Sequence, residues 1–598
     1  MLPFHQVPQD PFWVYPKEDQ KLMDGLIKEF QISPITAQVL ISRGFTTLTE
    51  IHDYLYAQLP DLIDPDMMPE MSNAVERIYR AMQNDESILV YGDNDVDGMT
   101  GTALLTEFLQ FIGAKVHFFL SNRSMRRQSL IVEALDSVRK NNCKLLITVD
   151  CGITAAAEIA QVAQEGVDVI VTDHHEPTDT IPHCVATLNP KLLNSPYPNR
   201  DLTGVGVAFK LAHALTNFLV SEGKIPPKKI DLKRYLDLVA LGTISDMGSL
   251  LGENRILVGY GMRQLRKTKR TGLAKLISLC GVDLNDLSTY AVASKVAPRL
   301  NSLGRIDDPR KGVELLLVRN PAMAEKLAIA LDLNNMERQK IEKVMLSDVE
   351  SIIVDHPEIF TNKAIVLESE KWHPGIIAIL STRLSKHYNR PVVVIALDKE
   401  LGKGSLRSIP EFPLLDFLKN SSPLLLNFGG HDLAAGLTLK RDLIPEFRQR
   451  FTEEADRLLS PEDVKPKLYL DAQVNFTDLT FDLMESMRLL EPYGNENPAP
   501  ILYVDAKQVW PPKVVGKTHL KLYLEQGDRM LEGIAFNKAD QVQLLRRRGL
   551  RLRIAFTPQI NTFQGGPSIQ LLVREFQILN ENEIKGPTLS RTSKKINA

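Results

Sequence analysis

Three carboxylates occur at every second position of the segment YGDNDVDG, as Asp93, Asp95 and Asp97. Side chains two residues apart lie on the same side of an extended backbone, and Gly98 allows a sharp turn into the sequence that follows. Anionic groups this close repel one another unless a cation lies among them, because each charge opposes ionisation of the next. The spacing therefore indicates a cation site, with an acidic surface turn as the alternative.

Residues 93–98 also match the first half of an EF-hand calcium loop. That loop needs a bidentate Glu at its twelfth position, where this chain has Leu104 within an apolar helical segment. The mismatch excludes an EF-hand.

Two later apolar segments end in the same way. LLITVD ends at Asp150, and VIVTD ends at Asp173, which is followed by His174 and His175. Short apolar runs separated by helical segments predict parallel strands with right-handed crossovers, and ligands lie beyond the C-terminal ends of such strands. Asp246 interrupts the apolar segment LVALGTISDMGSL, where an unpaired carboxylate would be costly to bury. Together these segments predict one metal centre.

The residue types at this centre narrow the choice of metal. Carboxylates and imidazole without thiolate favour Mn²⁺ or Mg²⁺, make zinc a weaker candidate and disfavour copper. Several bridging carboxylates favour a pair of ions about 3.5–4 Å apart, the arrangement that serves displacement at phosphorus. We therefore expect two ions of Mn²⁺ or Mg²⁺ and hydrolysis of a phosphoester.

Composition excludes several classes of protein. The chain has 598 residues with 71 Lys and Arg against 74 Asp and Glu, so a uniformly basic nucleic-acid coat protein is excluded. Four cysteines without a CxxC pair exclude a disulfide scaffold and a zinc ribbon. By sequence no apolar stretch reaches the roughly 18 residues of a membrane span, and the N-terminus lacks a signal-peptide pattern. We expect a cytoplasmic protein without a membrane-spanning part.

The patterns of polarity and turns predict an α/β protein with several domains. The expected parts are an N-terminal extension (1–65), a parallel α/β domain (66–320), a helical connector (321–355), a second α/β domain (356–460), a small β-barrel (465–582) and a disordered tail (583–598).

Ordered motifs along residues 70–580 resemble those of the DHH phosphoesterase family, which is named for the triplet at residues 173–175. They are YGDNDVDGMTGTALL, ITVDCGIT, VIVTDHHEP, LTGVGVAFKLAHAL, LVALGTISDMGSL, APRLNSLGR, HPGIIAILSTRL, GKGSLRSI, NFGGHDLAAGLTL and EPYGNENPAP. The resemblance implies a parallel-sheet DHH catalytic domain, a long helical connector, a DHH-associated α/β domain with a Gly-Gly-His motif and a C-terminal barrel of the oligonucleotide-binding (OB) type.

Within this family the chain is most similar to bacterial exonucleases specific for single strands. The resemblance implies 5′→3′ degradation of single-stranded DNA to 5′ mononucleotides in repair and recombination. It also implies a monomer, with a single-strand-binding protein or a helicase as candidate partners.

The resemblance further implies roles for individual residues. Asp93 would bridge an ion or orient the attacking water, and His175 would contact the scissile phosphate. The implied metal ligands are Asp95, Asp97, Asp150, His174 and Asp246. The implied substrate-binding residues are Arg123, Arg299, Arg305, Ser405, Arg407, Gly429, Gly430 and His431, although each arginine alone would fit a surface charge equally well.

The chain departs from the family pattern in places that bear on substrate binding. Asn94 replaces a usual aromatic residue, residues 126–130 differ from the usual sequence, Leu406 replaces a usual Gly, and Asp432 follows the Gly-Gly-His motif. None of these changes removes an implied metal ligand.

Other functions remain open at this point. A short-oligonucleotide or cyclic-dinucleotide phosphodiesterase of the same superfamily would be shorter and lack the barrel. A catalytically inactive scaffold protein would have lost metal carboxylates, and a metal-dependent pyrophosphatase would lack both the Gly-Gly-His motif and the barrel.

Weaker signals concern nucleic acid and nucleotides. Residues 203–207 resemble a dinucleotide-binding motif, but position 209 is Phe, which excludes an NAD site. Arg551, Arg553, Phe563 and Tyr493 are candidates for single-strand binding on the barrel, or for solvation and packing there.

Overall fold

The computed structural model describes residues 11–121, 132–561 and 566–580. It divides the chain into two compact units. Unit 1 is formed mainly by Gln58–Pro466 together with Pro492–Asn497, and unit 2 by Phe12–Ala57, Lys467–Glu491 and the described residues from Pro498 onward. The division differs from the expected domains, because residues 12–57 belong with the barrel and Pro492–Asn497 does not.

The strands of the described residues lie in four sheets. In chain order they are β1 (Phe12–Val14), β2 (Ser87–Gly92), β3 (Lys115–Leu120), β4 (Cys143–Val149), β5 (Asp168–Thr172), β6 (Ala186–Leu188), β7 (Ile365–Ser369), β8 (Val392–Asp398), β9 (Leu401–Arg407), β10 (Leu425–His431), β11 (Ala434–Lys440), β12 (Lys467–Tyr469), β13 (Ala472–Gln473), β14 (Leu502–Val515), β15 (His519–Gln526), β16 (Arg529–Ala535), β17 (Arg551–Asn561) and β18 (Ser568–Ile578).

The helices cover the faces of the sheets and connect them. They are α1 (Gln20–Phe30), α2 (Pro34–Ser42), α3 (Leu48–Tyr56), α4 (Met71–Gln83), α5 (Val96–Phe111), α6 (Leu135–Lys140), α7 (Ala156–Gln164), α8 (Gly204–Ser221), α9 (Leu236–Ser245), α10 (Gly252–Leu265), α11 (Thr271–Leu279), α12 (Thr289–Ala291), α13 (Ala297–Asn301), α14 (Leu303–Ile306), α15 (Arg310–Leu317), α16 (Pro321–Asp355), α17 (Ile377–Tyr388), α18 (Leu414–Asn420), α19 (Ile444–Leu458) and α20 (Phe481–Arg488).

The first sheet of unit 1 is parallel throughout, with strand order β3-β2-β4-β5-β6. Alternate residues of β2 pack on opposite faces. Ile88 and Val90 lie in a core with α4, α5 and α8, whereas Leu89 and Tyr91 lie in a second core with α6 and α7. Burial on both faces explains why these strands are continuous apolar runs in the sequence.

Helix α8 is long and apolar enough, by length and composition alone, to cross a membrane, which corrects the expectation that no stretch reaches that length. However, 72% of it is buried inside the protein. Lys210 in its middle is fully buried and lies 2.7 Å from the carboxylate of Glu253. A helix with a buried ion pair and this degree of packing belongs to the core of unit 1.

The second sheet of unit 1 has the order β10-β11-β9-β8-β7, in which only β7 and β8 are parallel. The 35-residue helix α16 precedes it in sequence, and the side chain of Asn320 caps the first turn of that helix. Helix α16 occupies the segment predicted to be a connector.

Unit 2 contains a barrel in which β14, β15, β16, β18 and β17 pair in turn and β17 pairs again with β14. Residues from the start of the chain join this unit: β1 pairs with β12, and the backbone N–H of Ser33 donates to Oγ of Ser486 at 3.2 Å. The predicted fold class, a parallel α/β domain, a second α/β domain and a barrel, is confirmed.

Candidate metal centre

The ends of four parallel strands form one row. Gly92 is in register with Val149, Val149 with Thr172, and Thr172 with Leu188. The ladder continues for one more residue, since the backbone N–H groups of Asp93, Asp150 and Asp173 each donate to the last carbonyl of the neighbouring strand. The acids predicted at strand ends therefore start from adjacent positions along one edge of the sheet.

The chain enters helix α5 directly from this edge. Asp95 is the N-cap residue of α5, and its Oδ1 accepts from the backbone N–H groups of Asp97 at 3.0 Å and Gly98 at 3.2 Å. A Cβ atom at position 98 would lie 2.5 Å from the carbonyl oxygen of Asp93, so only glycine fits this turn. The cap fixes the orientation of the Asp95 carboxylate.

The N-terminus of α8 holds the carboxylate of Asp97. Oδ2 accepts from the N–H of Gly204 at 2.6 Å, and Oδ1 accepts from the N–H of Val205 at 3.0 Å. The first N–H groups of a helix have no partner within the helix and favour an anion. A Cβ atom on Gly204 would lie 2.5 Å from Cβ of Asp150, so the helix approaches as closely as its glycine allows.

One imidazole lies among three of the carboxylates. Nε2 of His174 is 3.0 Å from Oδ1 of Asp150, 3.7 Å from Oδ2 of Asp246 and 3.8 Å from Oδ2 of Asp97. Candidate ligand atoms of Asp93, Asp95 and Asp150 also lie within 4.8 Å of one another. The structure thus brings together all the residues implied as metal ligands.

These residues fit divalent cations. Oδ1 of Asp150 is buried and makes no hydrogen bond within the described part of the chain. Burial, followed by the charge of Asp95, raises the pKa of Asp97 to about 7, and loss of solvation with the charges of Asp97 and Asp95 raises the pKa of Asp246 to about 8. Carboxylates in this state lack counter-charge, which bound Mn²⁺ or Mg²⁺ would supply.

The imidazole of His174 is in the form that binds metals. Its burial and the charge of His175 lower the pKa of His174 to about 3, so it is neutral at physiological pH. A neutral imidazole has a nitrogen lone pair for a metal.

Comparison with known proteins gives the family. Models of three domain families match this chain: the DHH family N-terminal domain at residues 87–243, the DHHA1 domain at 361–460 and the RecJ OB domain at 470–575. The chain is similar to the single-stranded-DNA-specific exonuclease RecJ of Bacillus subtilis, with 36% identity over 94% of this chain and 70% of that protein. RecJ of Escherichia coli is 33% identical over 91% of this chain and 96% of its own length. The chain belongs to the RecJ family.

Solved structures agree with this assignment. The crystal structure of RecJ from Thermus thermophilus in complex with Mn²⁺ matches with a TM-score of 0.80 and 28% identity, over 95% of this chain and 80% of that one. The structure of the same protein with Mg²⁺ matches with a TM-score of 0.74 and 26% identity, over 95% and 79% of the two chains. The predicted family is confirmed, and the metals bound in these two structures are the two that the sequence predicted for this chain.

Asp173 organises the triplet that names the DHH fold, a role that was not predicted from the sequence. Its Oδ1 accepts from the N–H groups of His174 and His175 at 2.7 and 3.1 Å, and its Oδ2 accepts from the N–H of Ile153 at 2.9 Å. The same Oδ1 lies 2.8 Å from Nδ1 of His175. Asp173 therefore orients both histidines of this RecJ-family chain.

The partnership with Asp173 makes His175 cationic. Burial alone would lower the pKa of His175, but the hydrogen bond and charge of Asp173 outweigh it and raise the pKa to about 9. A protonated, partly exposed imidazole next to the metal ligands is suited to contact a phosphate.

Lys191 is a second residue that was not predicted from the sequence. It follows β6 at the same edge of the sheet, and its Nζ lies 3.0 Å from Oε1 of Glu176. Its charge acts on His174, Asp246 and His431. The signal in the sequence is weak, because β6 has only three residues and does not form a recognisable strand pattern.

Of the expected substrate-binding residues of the second sheet, Ser405, Arg407, Gly429 and His431 lie on one face, whereas Gly430 belongs to the intervening row with Ala435 and Leu406. His431, Ala434 and Arg407 are in register across three strands, and Gly429, Gly436 and Ser405 form a parallel row. Burial, followed by the charges of Lys191 and His175, lowers the pKa of His431. The Gly-Gly-His motif thus lies within electrostatic reach of the DHH triplet.

Arg407 differs from the other arginines that were predicted to bind substrate. Its guanidinium is largely buried, and within the described residues no carboxylate lies at ion-pair distance from it. Arg299 instead donates to Asp332 at 2.8 Å, and Arg305 donates to the carbonyl of Gly375 at 2.9 Å. Arg123 lies outside the described residues.

Gly204→Ala tests whether α8 positions the metal ligands. The new methyl group would displace Asp150 or the α8 amides that hold Asp97, so we expect Mn²⁺ affinity to fall by about tenfold or more in calorimetric titration. Gly206→Ala is the matched control on the same helix, because its nearest neighbour is the end of the Leu202 side chain at 3.1 Å. Equal affinities of the two variants would contradict this account.

Stabilisation by Mn²⁺ should increase with pH. The folded, metal-free protein holds protons on Asp97 and Asp246 with pKa values of about 7 and 8, above their ordinary value of 3.8. These groups favour the fold at low pH, and that contribution is lost as the pH rises through their folded pKa values. The rise in Tm caused by Mn²⁺ should therefore be larger at about pH 8 than at about pH 6. A shift that is independent of pH, or unchanged in Asp246→Asn, would refute the assignment.

Proposed function

We propose that this protein is a metal-dependent exonuclease that degrades single-stranded DNA from the 5′ end to 5′ mononucleotides, in DNA repair and recombination. Its enzyme class, exodeoxyribonuclease, follows from membership of the RecJ family. The observation that carries the proposal is the convergence of Asp97, Asp150 and Asp246 on Nε2 of His174.

Asp95, Asp97, Asp150, His174 and Asp246 would hold two ions of Mn²⁺ or Mg²⁺. Such ions activate water for attack on phosphorus and neutralise charge on the phosphoryl oxygens. Asp93 is buried and accepts from Oγ of Ser121 at 3.2 Å, and its carboxylate would orient the attacking water. The His175 imidazolium would contact the scissile phosphate while its Nδ1–H donates to the carboxylate of Asp173.

Recognition of the 5′ end is assigned to the face of the second sheet that carries Arg407 and His431. A largely buried guanidinium without a carboxylate partner in the described residues is suited to a terminal phosphate, since its planar fork donates two hydrogen bonds at once. Gly429 has no heavy atom within 4 Å of where a Cβ would be, so a strand can approach its backbone. Lys191 supplies a further positive charge that acts on both His431 and the metal centre.

Single-strand binding by the barrel is supported by an exposed aromatic surface on β14 and β15. The rings of Trp510 and Tyr523 lie 5.5 Å apart, and the ammonium groups of Lys513 and Lys521 lie 5.6 and 5.5 Å from the Tyr523 ring. Aromatic faces with nearby cations bind single strands without sequence preference.

The residues that the sequence predicted to bind single strands on the barrel differ in location and in partners. Arg553 is paired with Asp505 at 2.7 Å, Tyr493 lies in unit 1, and Phe563 is outside the described residues. Arg551 is exposed and stays a candidate for contact with the strand.

The barrel also weighs against a short-oligonucleotide or cyclic-dinucleotide phosphodiesterase, since such a substrate would not need it. We further propose that the protein acts in the cytoplasm, where its DNA substrate is found, and that it acts as a monomer, because the expected metal ligands come together within one chain. A helicase or a single-strand-binding protein would be a natural partner, because duplex DNA must be opened before it can serve as substrate.

Asp150→Asn tests the chemistry. The amide keeps the shape but removes a charge from the centre, so hydrolysis of single strands with Mn²⁺ should fall by about a hundredfold or more. The assay compares 5′- and 3′-labelled single strands, a duplex and a dinucleotide. With the wild-type protein, labelled mononucleotide should appear first from the 5′-labelled strand. Asp136→Asn, at a carboxylate that is 96% exposed, is the control and should retain activity. Undiminished hydrolysis by Asp150→Asn, or release from the 3′ end first, would refute the proposal.

Arg407→Ala tests recognition of the 5′ phosphate. Loss of the guanidinium should raise KM for 5′-phosphorylated strands by about tenfold, because a charge-assisted hydrogen bond contributes about 1.5–3 kcal/mol, and should affect 5′-hydroxyl strands much less. Arg441→Ala is the control in the same domain, since that half-exposed side chain pairs with Glu370. An equal loss on both kinds of strand would remove Arg407 from the phosphate site.

A further inference from the structure

The segment Pro492–Asn497, here called the clamp loop, connects α20 to β14 but packs within unit 1. The sequence places this segment within the predicted barrel, residues 465–582. The structure instead places it against the residues that follow α9, the helix that ends just before the proposed metal ligand Asp246. The clamp loop therefore contacts the segment that directly follows a proposed metal ligand.

The chain turns sharply after Asp246, where the N–H groups of Met247 and Gly248 donate back to the carbonyls of Ile244 and Thr243 in α9. Asp246 is the C-cap residue of α9, and Met247 adopts a left-handed conformation with φ of 58°. A residue with a side chain is disfavoured in this conformation unless its surroundings hold it there. A change of conformation at Met247 would act on the adjacent backbone of Asp246, and through it on the Asp246 carboxylate.

The clamp loop holds this segment by three hydrogen bonds. Nδ2 of Asn495 donates to the carbonyl of Met247 at 2.7 Å, and the carbonyl of Asn495 accepts from the N–H of Leu250 at 3.0 Å. Oγ of Ser249 donates to Oε2 of Glu496 at 2.5 Å. Asn495 thus forms hydrogen bonds to the chain both at Met247 and at Leu250.

The clamp loop is itself held in shape. Gly494 and Asn497 pair through their backbones, and Nδ2 of Asn497 donates to the carbonyl of Pro492 at 2.7 Å. Oγ1 of Thr289 donates to the carbonyl of Tyr493 at 2.6 Å. A Cβ atom on Gly494 would lie 2.5 Å from Leu250, so the loop fits closely against the segment that it grips.

Asp246 is anchored differently from the other proposed ligands. Asp150 and His174 follow strands of the sheet, and Asp95 and Asp97 belong to the start of α5. Asp246 follows the end of a helix, with a side chain that is 31% exposed, and its carboxylate must still reach within 3.7 Å of Nε2 of His174. A ligand of this kind needs support from neighbouring residues to keep its geometry.

We propose that Asn495 is a positioning residue for Asp246, and that the clamp loop thereby sets the affinity of the centre for divalent metal. The inference rests on the proposed function, because it takes Asp246 to be a metal ligand. It makes metal binding depend on an amide 248 positions away in the sequence from the carbonyl that it holds.

The test is the affinity for Mn²⁺ of the full-length protein, measured by calorimetric titration and by the electron paramagnetic resonance signal of free Mn²⁺. Asn495→Ala removes the donor to Met247, and the isosteric Asn495→Asp replaces it with an acceptor. Both should lower the affinity by about tenfold, whereas kcat at saturating Mn²⁺ stays near that of the wild type. Asn285→Ala is the control, since this exposed amide donates to Asp283 within its own turn.

The variant Asp246→Asn distinguishes failure of the positioning role from failure of the proposed function. If Asp246→Asn weakens Mn²⁺ binding but both Asn495 variants bind like the wild type, the positioning role is overturned and the proposed function stands. If Asp246→Asn binds like the wild type, both are overturned. A loss of thermal stability in EDTA without a change in Mn²⁺ affinity would show a purely structural loop and would also overturn the inference. Should Asn495→Ala fail to fold, the isosteric Asn495→Asp decides.

Discussion

Repulsion among closely spaced carboxylates is the constraint around which unit 1 is built. Asp97, Asp150 and Asp246 lie within 4 Å of a single imidazole nitrogen, and two like charges about 4 Å apart oppose each other by about 4 kcal/mol at the effective dielectric constant typical of proteins. The fold offsets part of this cost through fixed dipoles. The first amides of α5 and α8 donate to Asp95 and Asp97, and bound divalent cations would neutralise the remaining charge.

Rigid elements make such an arrangement possible. The strand ends are in register, so the acids that follow them begin from neighbouring points, and glycines at positions 98 and 204 let the helices approach without room for a Cβ atom. The charges of His175 and Lys191 act on this negative centre, and further cationic candidates lie on the second sheet of the same unit. His175 is kept protonated by Asp173, Lys191 follows β6, and Arg407 and His431 share a face of the second sheet. A carboxylate cluster for metal ions with cationic side chains nearby suits a substrate whose phosphates contact both the metal ions and the cationic side chains.

Local patterns in the sequence were sufficient to predict the strands of the first sheet that carry the proposed metal ligands. Apolar runs that end in acids predicted β2, β4 and β5 and the residues beyond them, because a buried parallel strand that leads directly into a carboxylate is typical of a ligand site at the sheet edge. Features that depend on distant pairing were not predictable. The roles of Asp173 and Lys191, the clamp loop in unit 1 and the union of residues 12–57 with the barrel depend on contacts such as Ser33 to Ser486, 453 positions apart. Helix α8 also showed that apolar length alone does not separate a core helix from a membrane span.

The location of bound metal tests the central claim most directly. Crystals of the full-length protein soaked with Mn²⁺ would be measured at the manganese absorption edge. The account predicts two anomalous peaks about 3.5–4 Å apart, each within bonding distance of oxygens from Asp95, Asp97, Asp150 or Asp246 and one beside Nε2 of His174. Anomalous peaks elsewhere, with water filling the space between these carboxylates, would contradict it.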